Sequence, residues 1–215
     1  MRVAKVTNNS NSIKAVIFDV GGVLHESNSA TKDALSIELG LDQSTLDNIW
    51  STQVPLLVCG AINEAEFWQV IAKQYGVRQV DVAENLLSNA FTEQLKVHTP
   101  IIKLIQRFRA AGVKLAILSN TIEPHARALK KAGVYDGFDY VILSHEVGLQ
   151  KPDSEIYRYT LDTIGAVPSE TIFIDDIPIN ITSAERLGMH GVLFTNPQDT
   201  AARLLTLTNH LFVVK

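Results

Sequence analysis

The feature that most constrains the fold is a series of short apolar runs separated by longer helical patterns. The runs lie at residues 15–18, 114–118, 140–143, 171–174 and 191–194. Their length and their content of β-branched and aromatic residues are typical of strands buried on both faces of a parallel sheet. Three of the runs lead directly into Asp19, Ser119 and Asp175. In open α/β sheets, ligands bind at the carboxyl ends of strands, so these three residues are the first candidates for a site.

From Pro100 onward, strand and helix patterns alternate regularly. The predicted helices of this part lie at residues 101–111, 125–132, 155–164 and 181–187. Alternation of this kind indicates a mostly parallel sheet with helices on both faces. We therefore predict an α/β fold with a Rossmann-like, doubly wound, mostly parallel sheet.

A purely helical segment interrupts this alternation after the first strand. Helices are predicted at residues 30–39 and 45–50, from Asn63 to Gly76, and from Asp81 onward. Trp50, Phe67 and Trp68 are predicted to form the core of this insert. The predicted organisation is a flexible N-terminal arm (1–12), an α/β core (13–26 and 97–215) and a helical insert (27–96).

Composition excludes several classes of protein. The 215 residues are 46% hydrophobic, which suffices for a sizeable core, and the formal net charge is −4. This charge balance provides no excess of positive charge that would attract nucleic acid or an anionic membrane. No apolar run approaches the length of a membrane span. The single cysteine, Cys59, forms no internal disulfide and is compatible with a reducing compartment. We expect a cytoplasmic monomer or homodimer without nucleic-acid or membrane partners.

The polar residues at the strand ends are of complementary kinds. If the strands are neighbours, Asp19, Asp175 and Asp176 converge, and their mutual repulsion favours a cation between them. Carboxylates, a backbone carbonyl and waters are the ligands that Mg²⁺ prefers. Ser119 and Lys151 are suited to the oxygens of an anion such as phosphate. A cation beside an anion site indicates metal-assisted phosphoryl transfer.

Four segments in order resemble the motifs of the haloacid dehalogenase-like (HAD) superfamily. They are Phe18-Asp19-Val20-Gly21-Gly22-Val23-Leu24, Leu118-Ser119-Asn120-Thr121, the segment 148–157 that contains Lys151, and the segment 173–180 that contains Asp175-Asp176. The resemblance covers residues 13 to about 195. It implies that the helical insert is the small α-helical cap of this superfamily, and that the substrate is a small phosphorylated metabolite.

The resemblance also implies a role for each motif residue. Asp19 would be the nucleophile that forms an aspartyl-phosphate. Mg²⁺ would be held by Asp19, the backbone carbonyl of Gly21 and Asp176, with Asp175 as a further ligand or as a support for the ligands. Phosphate would be bound by Ser119, Asn120, Lys151 and the backbone at Gly22, with Ser119 and Lys151 counted as catalytic. Asn180 would either support the fourth motif or cap the helix that follows it.

One position departs from the pattern of many phosphatases in this superfamily. The residue two positions after the nucleophile is commonly an aspartate that protonates the leaving group, and here it is Gly21. A general acid contributes typically ~10²–10⁴-fold to the rate. Three explanations remain open: a substrate with a good leaving group, a proton from His25, Glu26 or the cap, or a slow or inactive enzyme. His25 is a candidate substrate contact, and a surface position at the hinge is the alternative.

These residues lead to one main hypothesis and two rivals. The main hypothesis is a Mg²⁺-dependent phosphomonoesterase, in which a sugar phosphate is one candidate substrate. The first rival is a metal-independent, dehalogenase-like hydrolase, which uses the same nucleophile and needs no leaving-group acid. The second rival is a catalytically weak protein that binds a phosphorylated ligand.

Overall fold

A parallel β-sheet forms the centre of the fold. The computed structural model describes residues 12–26, 30–77, 86–93, 95–208 and 211. Within them the strands are Ala15–Phe18 (β1), Lys114–Ser119 (β2), Tyr140–Leu143 (β3), Thr171–Asp175 (β4) and His190–Leu193 (β5). They pair in the order β3-β2-β1-β4-β5, and every pairing is parallel. The predicted Rossmann-like sheet is confirmed, and β1 lies at its centre.

The insert between β1 and β2 is helical wherever the structure describes it. Its helices are Ala30–Leu39 (α1), Gln43–Thr52 (α2), Val54–Val58 (α3), Glu64–Tyr75 (α4) and Leu86–Thr92 (α5). Asn63 and Glu66 form a reciprocal capping box at the start of α4, and Gly76 ends that helix with a left-handed backbone, so the predicted ends at Asn63 and Gly76 are confirmed. The predicted helix start at Asp81 lies outside the described residues, as do residues 1–11 of the predicted arm.

The remaining helices cover the two faces of the sheet. They are Thr99–Ala110 (α6), Glu123–Lys131 (α7), Ser144–Val147 (α8), Ser154–Ile164 (α9), Pro178–Arg186 (α10) and Pro197–Leu207 (α11). The sequence patterns did not predict α3, α8 or α11, and they placed the start of α10 three residues late. No helix among the described residues is both long enough and apolar enough to cross a lipid bilayer.

Alternating residues of the strands build a separate core on each face. Val16 and Phe18 of β1 pack with residues of α6, α7 and α11. Ala15 and Ile17 point the other way and pack with residues of α9 and α10. Because both faces are covered, the strands are almost entirely apolar. Their polar residues are therefore confined to the strand ends.

The insert has its own hydrophobic cluster, which includes Phe67 and Trp68 as predicted, with Trp50 packed against it. One residue of the core also belongs to this cluster: Ile122, at the start of α7. Glu64 of α4 lies 3.6 Å from Arg127 of α7, which adds a polar contact across the same junction. The insert therefore packs on the segment that directly follows β2. The domain boundaries at residues 26/27 and 96/97 stay a prediction.

The two connections to the insert are hydrogen-bonded to each other. The amide of Glu26 donates to the carbonyl of Lys96 (2.8 Å), and the amide of His98 donates to the carbonyl of Leu24 (2.8 Å). The residue between these two bonds, His25, pairs in antiparallel fashion with Val97. The connections thus form a short ribbon, so a movement of either one displaces the other.

Gly60 lies close to the backbone of the core. Its backbone has φ +67°, and a Cβ atom there would lie 2.2 Å from the carbonyl oxygen of His145 in α8. We expect Gly60→Ala to displace the insert from the core and to lower the melting temperature. The control is Gly76→Ala, which has the same kind of backbone (φ +65°) but no heavy atom within 4 Å of the new Cβ. Equal melting temperatures for the two variants, measured by calorimetry, would contradict the importance of this contact.

Candidate active site

The polar residues that follow β1, β2 and β4 meet at one edge of the sheet. Asp19 comes directly after β1, whereas Ser119 and Asp175 are the last residues of β2 and β4. Because β2 and β4 are the two neighbours of β1, these three residues lie side by side. Lys151 reaches the same place from the segment between α8 and α9. The structure thus brings together the residues that the sequence predicts for a site.

Lys151 is the central cation of the site. Its ammonium lies 2.7 Å from Oδ1 of Asp19 and 2.6 Å from Oδ2 of Asp175, and only 4% of the residue is exposed. Burial by itself would lower the pKa of Lys151, but the two carboxylates outweigh burial and raise it. The lysine is therefore charged at neutral pH.

Donor groups of the protein occupy both carboxylate oxygens of Asp175. Besides Lys151, it accepts the backbone amide of Ile177 (2.8 Å) and the side-chain amide of Asn180 (3.0 and 3.1 Å). The residue is completely buried. Asp175 therefore acts as a support that holds Lys151 and the turn into α10. Asn180 lies within α10 and bonds Asp175, so the interpretation of Asn180 as a helix cap is wrong.

Asp176 is the more accessible member of the pair, and Gly22 faces it. A Cβ atom on Gly22 would lie 2.2 Å from Oδ2 of Asp176, and the backbone of Gly22 has φ +76°. Only glycine satisfies both requirements. The glycine predicted to bind phosphate through its backbone thus also makes room for Asp176. By contrast, a Cβ atom on Gly21 would have no heavy atom within 4 Å.

The acidic residues form a cluster compatible with a magnesium site. Each of Asp19, Asp175 and Asp176 has a carboxylate oxygen within 4.8 Å of those of the other two. Burial raises the pKa of Asp19 to about 6, against the opposing influence of Lys151. Burial and then the charge of Asp175 raise the pKa of Asp176. Raised values mean that these charges are poorly compensated, and a divalent cation with oxygen ligands supplies the missing compensation.

The two polar residues at the end of β2 differ in their surroundings. The hydroxyl of Ser119 makes no hydrogen bond to any residue that the structure describes, so it is available to a bound oxyanion. The side chain of Asn120 is directed elsewhere: its amide donates to the carbonyl of Lys151 (2.8 Å) and its oxygen accepts the amide of Lys151 (2.9 Å). Asn120 therefore positions Lys151, whereas the sequence assigned it to phosphate.

His25 is buried and lies in the ribbon that connects the core to the insert. Its Nδ1 donates to the carbonyl of Glu26 (2.8 Å), and its backbone pairs with Gly21. Burial lowers its pKa, although the charge of Asp176 acts in the opposite direction. The alternative of a surface position is wrong for His25, which is 6% exposed. Glu26 is exposed and lies 3.7 Å from Lys96.

Sequence reasoning did not find the residues that support the loop after β2. The buried hydroxyl of Ser144 accepts the amide of Thr121 (3.0 Å) and donates to its carbonyl (3.2 Å). Nδ1 of His145 also lies 3.2 Å from that carbonyl. These residues follow β3, so their contribution depends on the pairing of β2 with β3. No local pattern in the sequence signals it.

Comparisons with known proteins show what the chain is similar to. A family model described as haloacid dehalogenase-like hydrolase matches residues 13–188. Drimenol cyclase drtB of Aspergillus calidoustus is 30% identical over 198 residues, which cover 90% of this chain but only 36% of that protein. Sesquiterpene phosphatase astK of Aspergillus oryzae is 28% identical over 197 residues, which cover 91% of this chain and 97% of that protein.

A solved structure resembles most of this chain in its fold. It is a HAD family enzyme, bt-2542, of Bacteroides thetaiotaomicron, in complex with magnesium and inorganic phosphate. The TM-score is 0.74 at 25% identity, and the match covers 86% of this chain and 95% of that one. The chain thus spans about a third of drtB but nearly the full length of astK and of this enzyme.

The contact between Gly22 and Asp176 leads to a test of the acidic cluster. We expect Gly22→Ala to push Asp176 away and to weaken Mg²⁺ binding at least tenfold more than Gly21→Ala, where the new methyl group meets open space. Isothermal titration calorimetry with MgCl₂ on the two folded variants measures the difference. Equal Mg²⁺ affinities would show that Asp176 does not contribute to the metal site.

Proposed function

The chain belongs to the haloacid dehalogenase-like hydrolase family, and from this premise we propose that it is a Mg²⁺-dependent phosphomonoesterase. Its substrate would be a small phosphorylated metabolite, and its intermediate an aspartyl-phosphate on Asp19. The observation that carries the proposal is the juxtaposition of a buried nucleophile, a buried cation and a cluster of three carboxylates. A sugar phosphate remains one candidate substrate, on the strength of the sequence.

The first step would be attack on phosphorus by a carboxylate oxygen of Asp19. The bond from phosphorus to the leaving-group oxygen breaks, and that oxygen then takes up a proton. Burial raises the pKa of Asp19 to about 6 and the ion pair with Lys151 opposes this rise, so Asp19 is mostly in the ionised form that attack requires at pH 7. Water then attacks the phosphorus of the aspartyl-phosphate, which releases phosphate and restores Asp19.

Lys151 and Ser119 would bind the oxygens that do not react. Lys151 is fixed by Asp175 and, through its backbone, by Asn120. Its charge reduces the repulsion between the carboxylate of Asp19 and an approaching phosphate. The hydroxyl of Ser119 adds a hydrogen bond from the neighbouring strand end. Both groups are in place before the substrate binds, so little reorganisation is needed.

The residues present fit a magnesium ion. Asp19, Asp176 and the carbonyl of Gly21 would hold it, with Asp175 as their support. When bound, the ion would neutralise charge on the phosphoryl oxygens during transfer. The bound magnesium and inorganic phosphate of the bt-2542 enzyme and the name of astK support this assignment. The rival hypothesis, a dehalogenase-like hydrolase, needs no metal and does not explain why Asp176 lies close to Asp19.

The sequence also supports a reducing compartment, because Cys59 is the single cysteine of the chain. We therefore extend the proposal to a cytoplasmic enzyme that acts on a soluble metabolite, as a monomer or a homodimer. The acidic net charge of −4 agrees with a partner that is a small molecule rather than a nucleic acid.

Hydrolysis of p-nitrophenyl phosphate tests the proposed function directly. Its leaving group needs little protonation, so the glycine at position 21 should not hide activity. We expect turnover with Mg²⁺, loss of turnover in excess EDTA and recovery when Mg²⁺ is restored. Asp19→Asn should lower kcat roughly 10³-fold or more, because it removes the nucleophile. The matched control is Asp162→Asn, an exposed aspartate on α9, which should retain wild-type turnover. Turnover in Asp19→Asn equal to wild type would refute the assigned nucleophile.

The open space at Gly21 leads to a second test. The position has neither a positive φ nor a heavy atom within 4 Å of a new Cβ, so it accommodates a side chain. We expect Gly21→Asp to supply a general acid and to raise kcat/KM for alkyl phosphates about tenfold or more, with a smaller gain for p-nitrophenyl phosphate. Gly21→Asn is the control of equal size without an acidic proton. If Gly21→Asp slows all substrates to the same extent as Gly21→Asn, the missing acid does not limit the reaction.

A further inference from the structure

A buried imidazole nitrogen at the junction of insert and core has no partner. Nε2 of His125 is inaccessible to solvent and makes no hydrogen bond to any described residue. Buried polar atoms without a partner are rare, because each loses its hydrogen bonds to water and gains none in return. Burial also lowers the pKa of His125 to about 4, so the ring is neutral at pH 7. A neutral ring in this position lacks a hydrogen-bond partner rather than a counter-ion.

The ring of His125 belongs to an aromatic wall made of three residues. Phe91 of α5 stacks on His125, with ring centroids 4.3 Å apart and planes 18° from parallel. The same phenyl ring meets His25 edge to face at 5.4 Å. We call His25, Phe91 and His125 the aromatic wall. It joins the insert to the core and includes side chains from both.

The aromatic wall continues into the candidate active site. The backbone of His25 pairs with Gly21, beside the open space at that position. His125 lies in the first turn of α7, six residues after Ser119. A leaving group that extends from a phosphate between Asp19 and Ser119 towards His25 would therefore lie next to this wall.

We propose that His125 is a specificity-determining residue, whose Nε2 binds a hydroxyl group on the leaving group of the substrate. A hydroxyl both donates and accepts, so it satisfies either tautomer of a neutral imidazole. The stacked face of Phe91 and the ring of His25 provide an apolar surface for the carbon skeleton that bears the hydroxyl. The inference rests on the proposed function and narrows its substrate to hydroxylated, polyol-like monophosphates.

The inference distinguishes such substrates from apolar ones of similar size. A site built to hydrogen-bond a hydroxyl rejects an analogue without it, because the buried polar group is then left unpaired. An isoprenoid phosphate would pack against the aromatic wall but would leave Nε2 of His125 without a partner. The competing explanation is that Nε2 stays unpaired whichever substrate binds, and it predicts no preference for hydroxylated substrates.

The test compares pairs of phosphates that differ in their hydroxyl groups. The pairs are glucose 6-phosphate with cyclohexylmethyl phosphate, and glycerol 3-phosphate with propyl phosphate; farnesyl phosphate represents the isoprenoids. For each pair, the ratio of kcat/KM values is measured in the wild type and in His125→Phe, which keeps the stacked ring but removes both nitrogens. We expect the preference for the hydroxylated member to fall tenfold to hundredfold in the variant, mainly through KM. Differences in intrinsic reactivity between the two phosphates of a pair cancel, because the same pair is measured in the wild type and in the variant.

Two further variants complete the experiment. His125→Gln retains a donor and an acceptor and should restore part of the preference. His190→Gln is the matched control, because His190 is exposed on β5 and bonds the carbonyl of Ser169; it should keep the wild-type preference. An unchanged preference in both His125 variants, or a preference for farnesyl phosphate in the wild type, would overturn the inference.

The failure of the inference can be told apart from the failure of the proposed function. Wild-type turnover of p-nitrophenyl phosphate decides the function and does not depend on a hydroxyl on the leaving group. If that turnover is absent, binding of the same paired phosphates is measured by calorimetry, with the same criterion for His125→Phe. Equal affinity of the wild type for both members of each pair would then refute the inference as well.

Discussion

The buried ammonium of Lys151 between Asp19 and Asp175 is the interaction on which the site depends. Two ion pairs of 2.6 and 2.7 Å in a buried setting are costly to form and still more costly to break, because removal of one partner leaves an uncompensated charge. The protein therefore surrounds this group with supports. Asn120 fixes the backbone of Lys151, and Asn180 with the amide of Ile177 fixes Asp175. These contacts hold Lys151 and Asp175 in fixed positions, and the ion pair with Lys151 favours the ionised form of Asp19.

The division of work between the two adjacent aspartates follows from burial. Asp175 is completely buried and its oxygens are used by protein donors, whereas Asp176 is partly exposed and faces Gly22. The same dipeptide thus supplies one structural carboxylate and one available carboxylate. The insert packs on Ile122, which follows β2, and its connections form a ribbon around His25. Any displacement of the insert therefore moves residues directly beside the acidic cluster.

Local pattern predicted most of the fold for identifiable reasons. Strands β1 and β3 were delimited correctly, because the residues on both sides of each run are polar: Lys14 and Asp19 for β1, Asp139 and Ser144 for β3. Helix α4 was located at both ends by its capping box and by Gly76. The short helices α3 and α8 were missed, since one turn of helix has no periodicity to detect. Helix α10 was predicted too short because its first turn contains Pro178, which suits that position but obscures the pattern.

The sequence by itself determined the chemistry at the strand ends, because residue type and order along the chain suffice to identify carboxylates, a hydroxyl and an ammonium after buried strands. Tertiary structure alone decided how these groups are used. Asn120 and Lys151 are 31 residues apart, yet they hold each other through two hydrogen bonds. Phe91 and His125 come from opposite sides of the junction between insert and core. The direction of a side chain depends on such distant neighbours, and no local pattern contains that information.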